Sequence, residues 1–242
     1  MKVRLLAGFI VSILALGRFG PLPAADDKEA PPNTLTEKEK QDGWKLLFDG
    51  KSLDGWRVFK KQDAAGWTLK DGTLYLEKPG AGDLMTKDKF ANFEFTVDWK
   101  IETGNNSGII YRVSEDGGTT YTTGPEMQVM NHKPGQQKLG KNDAGSLYDM
   151  YEPTSNPLKA ADQWNTFKIV CNGKHIEHWV NGVKVADCDI GSDDWNKRLA
   201  VSKWKDVKLF ASQPAGHIAL QDHGGKNAFR NIKIKVLPEA KK

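Results

Sequence analysis

Cysteine is scarce in this sequence, with two residues, Cys171 and Cys188, in a chain of 242. Two cysteines without an accompanying set of histidines do not indicate a four-ligand zinc site. The dipeptides Asn172-Gly173 and Asn181-Gly182 predict two tight turns, and therefore a three-stranded meander over residues 166–189. The cysteines then lie on its outer strands, about 10 Å apart. That is too far for a disulfide, unless a longer turn changes the register.

Two common catalytic signatures are also missing. No H-E-x-x-H run is present, and the five histidines are scattered, at His132, His175, His178, His217 and His223. A paired-histidine metal site is therefore not indicated. No G-x-S-x-G elbow occurs, and Ser146 falls in a predicted loop, so a serine hydrolase is only weakly supported.

Positive charge exceeds negative charge only slightly, with 35 Lys and Arg against 31 Asp and Glu. The charges are interspersed, apart from small lysine clusters at Lys203, Lys205, Lys208 and the C-terminus, which does not favour a nucleic-acid partner. The hydrophobic content of 38% and charged content of 27% are those of a soluble globular protein.

Eight tryptophans are present. Exposed indoles are platforms for the apolar faces of sugars, whereas most tryptophans belong to the core.

No apolar run is long enough to span a membrane comfortably. Lys2 and Arg4 precede an apolar stretch at residues 5–16, and small residues follow at 23–25, as in a secretory signal peptide. We expect cleavage near Ala25 and a secreted or periplasmic bacterial protein. No cysteine lies at the cleavage point to carry a lipid anchor. Residues 26–42 are expected to form a linker and a short helix, and residues 43–238 a single β-sandwich domain.

Long helical periodicity is absent. A capping box at Thr36-Glu37-Lys38-Glu39 predicts one short helix over residues 36–42, ended by Gly43. Asp71-Gly72 predicts a hairpin, and residues 93–101 alternate apolar and polar side chains as a half-buried strand does. Further short strands are predicted at residues 107–113, 126–130, 208–211, 217–221 and 229–236. The fold class is therefore all-β, a sandwich of two antiparallel sheets, with one long loop at residues 133–163 of the kind that is usually functional.

The predicted strand at residues 126–130 carries the first candidate site. Side chains alternate along a strand, so Glu126 and Gln128 share one face, which we expect to be exposed to solvent. A glycosidase needs two carboxylates beside the scissile bond. Gln128 occupies the place of the second carboxylate, and only Asp143 or Asp149 in the long loop could replace it. Ordinary glycosidic hydrolysis is therefore disfavoured.

Three other polar sets accompany this strand: Tyr148-Asp149, Gln221-Asp222-His223, and the arginines Arg112 and Arg230 on otherwise apolar strands. Each has a structural alternative. Asp149 and His223 are typical turn residues, and Gln221 fits the polar face of a strand. Arg112, which follows Tyr111, could instead lie flat over a sheet and cover its apolar surface. Their joint occurrence at strand ends and in one loop favours a common site.

Several motifs in a fixed order resemble those of the bacterial exported family named 3-keto-disaccharide hydrolase, formerly a domain of unknown function. They are GWKLLFDGKSLDGW at 43–56, NSGIIYR at 106–112, EMQV at 126–129, GSLYD at 145–149, WN at 164–165, WVNG at 179–182, IALQDHG at 218–224 and FRNI at 229–232. The resemblance extends over residues 43–236. It implies a concanavalin A-like jelly roll, in agreement with the strand pattern.

The resemblance also implies a substrate already oxidised to a ketone at C3 by a separate oxidoreductase. Such a ketone acidifies the C2 proton, so the aglycone can leave by elimination and water can then add. Glu126 or His223 could act as base and the other as acid. Arg112, Gln128 or Arg230 could stabilise the enolate, with Tyr148, Asp149 and Gln221 as further substrate-binding residues. No cofactor is expected; a divalent metal on Glu126, Asp149 and His223 is conceivable, but no ligand spacing indicates it.

Two other functions remain open at this point. A non-catalytic carbohydrate-binding module could use the same sheet face, because concanavalin-like sandwiches serve both lectins and enzymes. An envelope adhesion or scaffold domain would need no acid–base residues. The clustering of ionisable residues favours the enzyme, with a glycoside ligand and neither a nucleic-acid partner nor a membrane span.

Overall fold

A computed structural model describes residues 30–76, 78–131, 136 and 138–239. The predicted signal peptide, residues 26–29 of the predicted linker, and His132 lie outside these residues. In the part of the chain that is described, no helix is long and apolar enough to cross a membrane.

Thirteen strands and two short α-helices follow one another along the described chain. The helices are α1 (Glu37–Gln41) and α2 (Asp193–Leu199), and a 3-10 turn covers Thr120–Thr122. The strands are β1 (Trp44–Leu46), β2 (Trp56–Val58), β3 (Trp67–Lys70), β4 (Thr73–Leu76), β5 (Leu84–Thr86), β6 (Phe93–Ile101), β7 (Asn106–Val113), β8 (Glu126–Met130), β9 (Asn165–Asn172), β10 (His175–Val180), β11 (Val183–Asp189), β12 (His217–Leu220) and β13 (Asn227–Val236).

The strands form two antiparallel sheets packed face to face. The larger sheet has the order β11-β10-β9-β6-β13-β4-β3, with β1 also paired to β13. The smaller sheet has the order β2-β5-β12-β7-β8, so β8 is its outermost strand. This architecture confirms the predicted concanavalin-like jelly-roll sandwich.

The core between the sheets follows from alternation along the strands. In β6, Phe93, Phe95, Val97, Trp99 and Ile101 are buried while their neighbours are only partly so. From the smaller sheet, Ile109, Tyr111, Met127, Val129, Ile218 and Leu220 join the same cluster. Because successive side chains point to opposite faces, Glu126 and Gln128 lie on the outer face of the smaller sheet.

The local predictions at the N-terminus are confirmed. Glu39 N donates to Thr36 Oγ1 at 3.1 Å and Thr36 N donates to Glu39 Oε2 at 2.8 Å, which completes the capping box of α1. Asp71 and Gly72 have φ values of 51° and 68°, as a two-residue hairpin turn requires.

The cysteine meander is present as β9, β10 and β11. Ile176 on β10 pairs with Cys171 on one side and Cys188 on the other. The cysteines are therefore two strand spacings apart, and both are buried and free.

The predicted strand at residues 208–211 is wrong, because this segment forms turns. Phe210 stacks on Trp204 with ring centroids 4.7 Å apart, and Ala211 has a φ of 53°. An aromatic residue that packs locally gives the same apolar signal as a strand residue. Helix α2 was not predicted, although Ser192 caps it and accepts from Trp195 N.

Candidate active site

A cavity of about 390 Å³ opens on the outer face of the smaller sheet, over β8 and the end of β12. Loops from distant parts of the chain complete its walls. Its lining residues are Asp83, Asn106, Tyr121, Glu126, Gln128, Tyr148, Lys203, Gln221, Asp222 and His223. Five residues predicted from the sequence therefore meet here: Glu126, Gln128, Tyr148, Gln221 and His223.

Glu126 lies at the base of the cavity. Its side chain was expected on a solvent-exposed face, but the residue is only 5% exposed, because the loops around the cavity cover that part of the sheet. Burial raises the pKa of Glu126 to about 8, while Lys203 opposes the rise and Asp83 adds to it. A carboxyl with this pKa keeps its proton at neutral pH.

Gly108 makes room for the Glu126 side chain. Gly108 lies on β7, in register with Gln128 on β8. A Cβ at position 108 would come within 2.3 Å of Glu126 Oε1 and 2.7 Å of Cδ. The carboxyl therefore lies across the backbone of Gly108, a contact that no larger residue permits.

Part of the predicted long loop lies alongside β8, and an isolated bridge joins Leu147 to Met127. Gly145 N donates to Gln128 O at 2.9 Å, Gln128 N donates to Ser146 O at 3.2 Å, and Tyr148 N donates to Glu126 O at 2.9 Å. Tyr148 is thereby held beside Glu126. Burial raises the pKa of the Tyr148 phenol, and Glu126 and Asp149 raise it further.

Lys203 supplies the positive charge of the cavity. Its ammonium nitrogen lies 3.9 Å from the ring centroid of Tyr148 and 4.3 Å from that of Trp204. Asp149 does not line the cavity. Its carboxylate instead accepts a hydrogen bond from the backbone N–H of Lys203 at 2.6 Å, which fixes the backbone at Lys203. Burial lowers the pKa of Lys203, whereas Glu126 and Asp149 raise it.

The chain after β12 forms the opposite wall. Gln221 N donates to Gly108 O at 2.9 Å, and Ser107 Oγ donates to Gln221 O at 2.7 Å. Asp222 N donates to Asp83 Oδ1 at 2.9 Å. Burial raises the pKa of Asp83. His223 follows as an exposed imidazole at the rim.

The two predicted arginines lie elsewhere. Arg112 Nη2 donates to Ala91 O at 2.9 Å and to Gly173 O at 2.7 Å, which ties β7 to the turn between β9 and β10. Arg230 lies on the outer face of the larger sheet, with its guanidinium carbon 4.2 Å from the ring centroid of Trp164. Neither contributes to the cavity at Glu126.

The metal ligands considered from the sequence do not meet. Among the described residues, one group of His, Asp and Glu side chains has the spacing of metal ligands. The ligand atoms of His175, Glu177 and Asp187 all lie within 4.8 Å of one another. That group lies on the β10–β11 hairpin, where Lys184 Nζ is 3.2 Å from Glu177 Oε1. Glu126, Asp149 and His223 form no such group.

Four lining residues were not predicted: Asp83, Asn106, Tyr121 and Lys203. A fifth, Asp222, was named only as a member of the polar set Gln221-Asp222-His223. Asn106 and Asp222 fall inside motifs that the sequence already singled out. Lys203 belongs to a recognised lysine cluster, but nothing in its local pattern relates it to β8. Asp83 and Tyr121 come from separate connections and carry no signal in the sequence.

Comparison with known proteins adds to this geometry. A family model described as the 3-keto-alpha-glucoside-1,2-lyase-like domain matches residues 43–235. A curated 3-keto-disaccharide hydrolase of Bacteroides thetaiotaomicron is 32% identical over 243 residues, covering 87% of this chain and 84% of the relative.

Solved structures are similar as well. The crystal structure of a candidate glycosyl hydrolase from Parabacteroides distasonis is 34% identical with a TM-score of 0.79, covering 86% of this chain and all of that one. A second candidate glycosyl hydrolase from the same organism is 27% identical with a TM-score of 0.61, over 80% of this chain and 99% of that one.

Proposed function

The chain belongs to the family of the 3-keto-alpha-glucoside-1,2-lyase-like domains and is a glycoside-cleaving enzyme, and on that premise we propose that it cleaves 3-keto-glycosides by elimination and hydration. A base removes the proton from C2, and the electron pair moves into the C3 carbonyl as an enolate. When the ketone reforms, a double bond forms between C1 and C2 and the C1–O bond to the aglycone breaks. Water then adds across the double bond and yields the free 3-keto sugar.

One observation carries this proposal: β8 places one buried carboxyl in the cavity, with an amide two residues further on, whereas the other acidic lining residues, Asp83 and Asp222, accept hydrogen bonds from backbone N–H groups. Ordinary hydrolysis needs a second enzyme carboxylate beside the sugar, which acts as the nucleophile or as the base that activates water. Gln128 is 3% exposed at that position and can donate or accept hydrogen bonds but cannot take a proton. Elimination needs no nucleophile at C1, so one carboxyl is enough.

Glu126 suits the role of general acid. Its pKa of about 8 leaves the carboxyl protonated at neutral pH and able to give its proton to the departing aglycone oxygen. His223 is the base of the proposal, since an exposed imidazole at the rim can take the C2 proton and pass it to solvent. In this way the proposal assigns the acid and base roles that the sequence left open between Glu126 and His223.

Gln128 keeps the enolate-stabilising role considered from the sequence, and Lys203 replaces the two arginines in it. The enolate places negative charge on the C3 oxygen, and a cation or amide donor fixed beside it lowers the barrier. Lys203 is held between two aromatic rings and lines the cavity. A donor that is already in place need not reorganise during the reaction.

A comparison of two substrates tests the function. Purified mature protein is incubated with a 3-keto-disaccharide and, separately, with its unoxidised parent. We expect the 3-keto sugar to be released from the first and nothing from the second, because only the ketone acidifies C2. Equal cleavage of both would contradict elimination, and binding without turnover would indicate a carbohydrate-binding module.

Two substitutions test the residue roles. Glu126→Gln and His223→Ala should each lower kcat by about 10²-fold or more, in line with the loss of a general acid or base. With an activated leaving group such as a nitrophenol, which needs little protonation, the Glu126→Gln defect should shrink while the His223→Ala defect remains. Full activity in both variants would remove these assignments and leave the substrate assay unaffected.

The cellular setting is part of the proposal. The N-terminal pattern supports export, and N-terminal sequencing of the mature protein should give a start near residue 26. In this proposal a separate oxidoreductase oxidises the sugar at C3 and so supplies the substrate, as the family resemblance implies. Cells that lack such an activity should accumulate no product from the unoxidised glycoside.

A further inference from the structure

The outer face of the larger sheet carries two adjoining cavities of about 530 Å³ each, which meet at Trp164 and Arg230. We call them together the Trp164 groove. One half is lined by Lys70, Asp71, Thr73, Tyr75, Lys100 and Glu102, among others. The other half runs past Asp98, Lys159, Thr166, Asn231 and Lys233 to residues 30–36. Each cavity falls within the volume range of small-ligand sites.

Trp164 is held as a fixed platform at the centre of the groove. The guanidinium carbon of Arg230 lies 4.2 Å from its ring centroid, and Lys100 Nζ lies 5.3 Å from it. Arg230 Nε lies 3.5 Å from Asp98 Oδ2, and Asp98 also accepts from Thr166 Oγ1 at 2.7 Å. Trp164 lines both halves of the groove.

The surrounding side chains match the hydroxyl groups of sugars. Tyr75 provides a second aromatic ring, with Lys70 Nζ 5.5 Å from its centroid. Carboxylate, amide and ammonium groups line the groove and can donate hydrogen bonds to sugar hydroxyls or accept them. Aromatic rings that bind the apolar faces of sugars, with polar groups around their edges, are the usual construction of a carbohydrate site.

We propose that the Trp164 groove is a second, non-catalytic site that binds a glycan chain of several sugar units. It lies on the opposite outer face of the sandwich from the cavity at Glu126, because Arg230 and Glu126 point away from the core on different sheets. The two sheets are about 10 Å apart, so one short substrate cannot occupy both sites. The groove therefore retains the enzyme on a polysaccharide while the other face cleaves small substrates.

Affinity electrophoresis tests this inference. The protein is run through native gels that contain dextran, xyloglucan or polygalacturonate, and its migration is compared with that in a gel without polysaccharide. We expect retardation in at least one gel, and an affinity that falls about tenfold or more in Trp164→Ala, the loss expected from a stacking contact. No retardation in any gel would overturn the proposal.

Trp179→Ala is the matched control. Trp179 also lies on the outer face of the larger sheet, with Lys168 Nζ 4.3 Å from its ring centroid, but outside the groove. Retardation should persist in this variant, and equal loss in both would show non-specific adsorption to tryptophan and overturn the proposal. Trp164→Ala should also cleave a soluble 3-keto-disaccharide within about twofold of the wild-type rate. A large loss of turnover would place Trp164 in the catalytic site instead.

Discussion

Replacing Glu126 by glutamine should stabilise the protein, and increasingly so as the pH rises. The wild-type carboxyl has a pKa of about 8 when folded and an ordinary value of 4.5. Between these values the folded state holds a proton that the unfolded state has released, so the free energy of unfolding falls as pH rises. Glutamine does not ionise, and the variant lacks this loss.

The structure sets the size of the effect. A pKa difference of one corresponds to about 1.4 kcal/mol. At a pH above both pKa values, the gap between 4.5 and about 8 therefore lowers the free energy of unfolding by about 5 kcal/mol. Between pH 5 and pH 9 the difference between variant and wild type should grow by about 4 kcal/mol. For a domain of this size, that corresponds to roughly 8–16 °C in melting temperature.

The measurement is a series of thermal or denaturant unfolding curves for both proteins at pH 5, 6, 7, 8 and 9. The same series with Glu37→Gln, a substitution of an exposed glutamate on α1, controls for the loss of one charge. A change below about 1 kcal/mol across this range would mean that the carboxyl titrates near its ordinary pKa. It would refute the claim that burial keeps Glu126 protonated.

The remaining predictions concern residues around the cavity. Gly108→Ala should lower kcat about 10²-fold by displacing the carboxyl, whereas Gly118→Ala, where a Cβ meets nothing within 4 Å, should not; equal rates would contradict the close contact. Lys203→Met should lower kcat about 10²–10³-fold, as loss of an oxyanion donor does, and Lys203→Arg should recover part of it. Arg112→Ala should cost about 2–4 kcal/mol of stability, since the buried Arg112 side chain no longer donates to Ala91 O and Gly173 O; lost turnover in an equally stable protein would contradict a structural role. Dialysis against EDTA should leave turnover unchanged, and loss reversed by a divalent cation would show a metal requirement.

Local patterns allowed much of the fold to be predicted. The alternation in β6, the Asp71-Gly72 turn and the capping box at Thr36 each depend on neighbouring residues. These features are therefore visible in a short window of sequence. The strand predicted at residues 208–211 is wrong for the same reason, because a short window of sequence cannot show that Phe210 packs on Trp204.

The candidate site was predicted only in part. Glu126 and Gln128 follow from one strand, but Asp83, Tyr121 and Lys203 line the same cavity and come from three separate connections. Gly108 could not be connected to Glu126 before the register of β7 and β8 was known. Arg112 was assigned to the ligand because its strand is apolar, whereas its guanidinium binds two backbone carbonyls. The sequence shows which residues are unusual for the strand or helix that carries them, but not which residues they contact in the fold.

The position of β8 at the margin of its sheet has a consequence for self-association. An outermost strand normally leaves a row of free N–H and C=O groups, which can recruit a strand from another molecule and lead to aggregation. Here the segment at residues 145–148 takes up those groups on β8, through hydrogen bonds to Glu126 and Gln128. The strand that carries the buried Glu126 carboxyl is thus closed to intermolecular pairing, while its outer face lines the cavity.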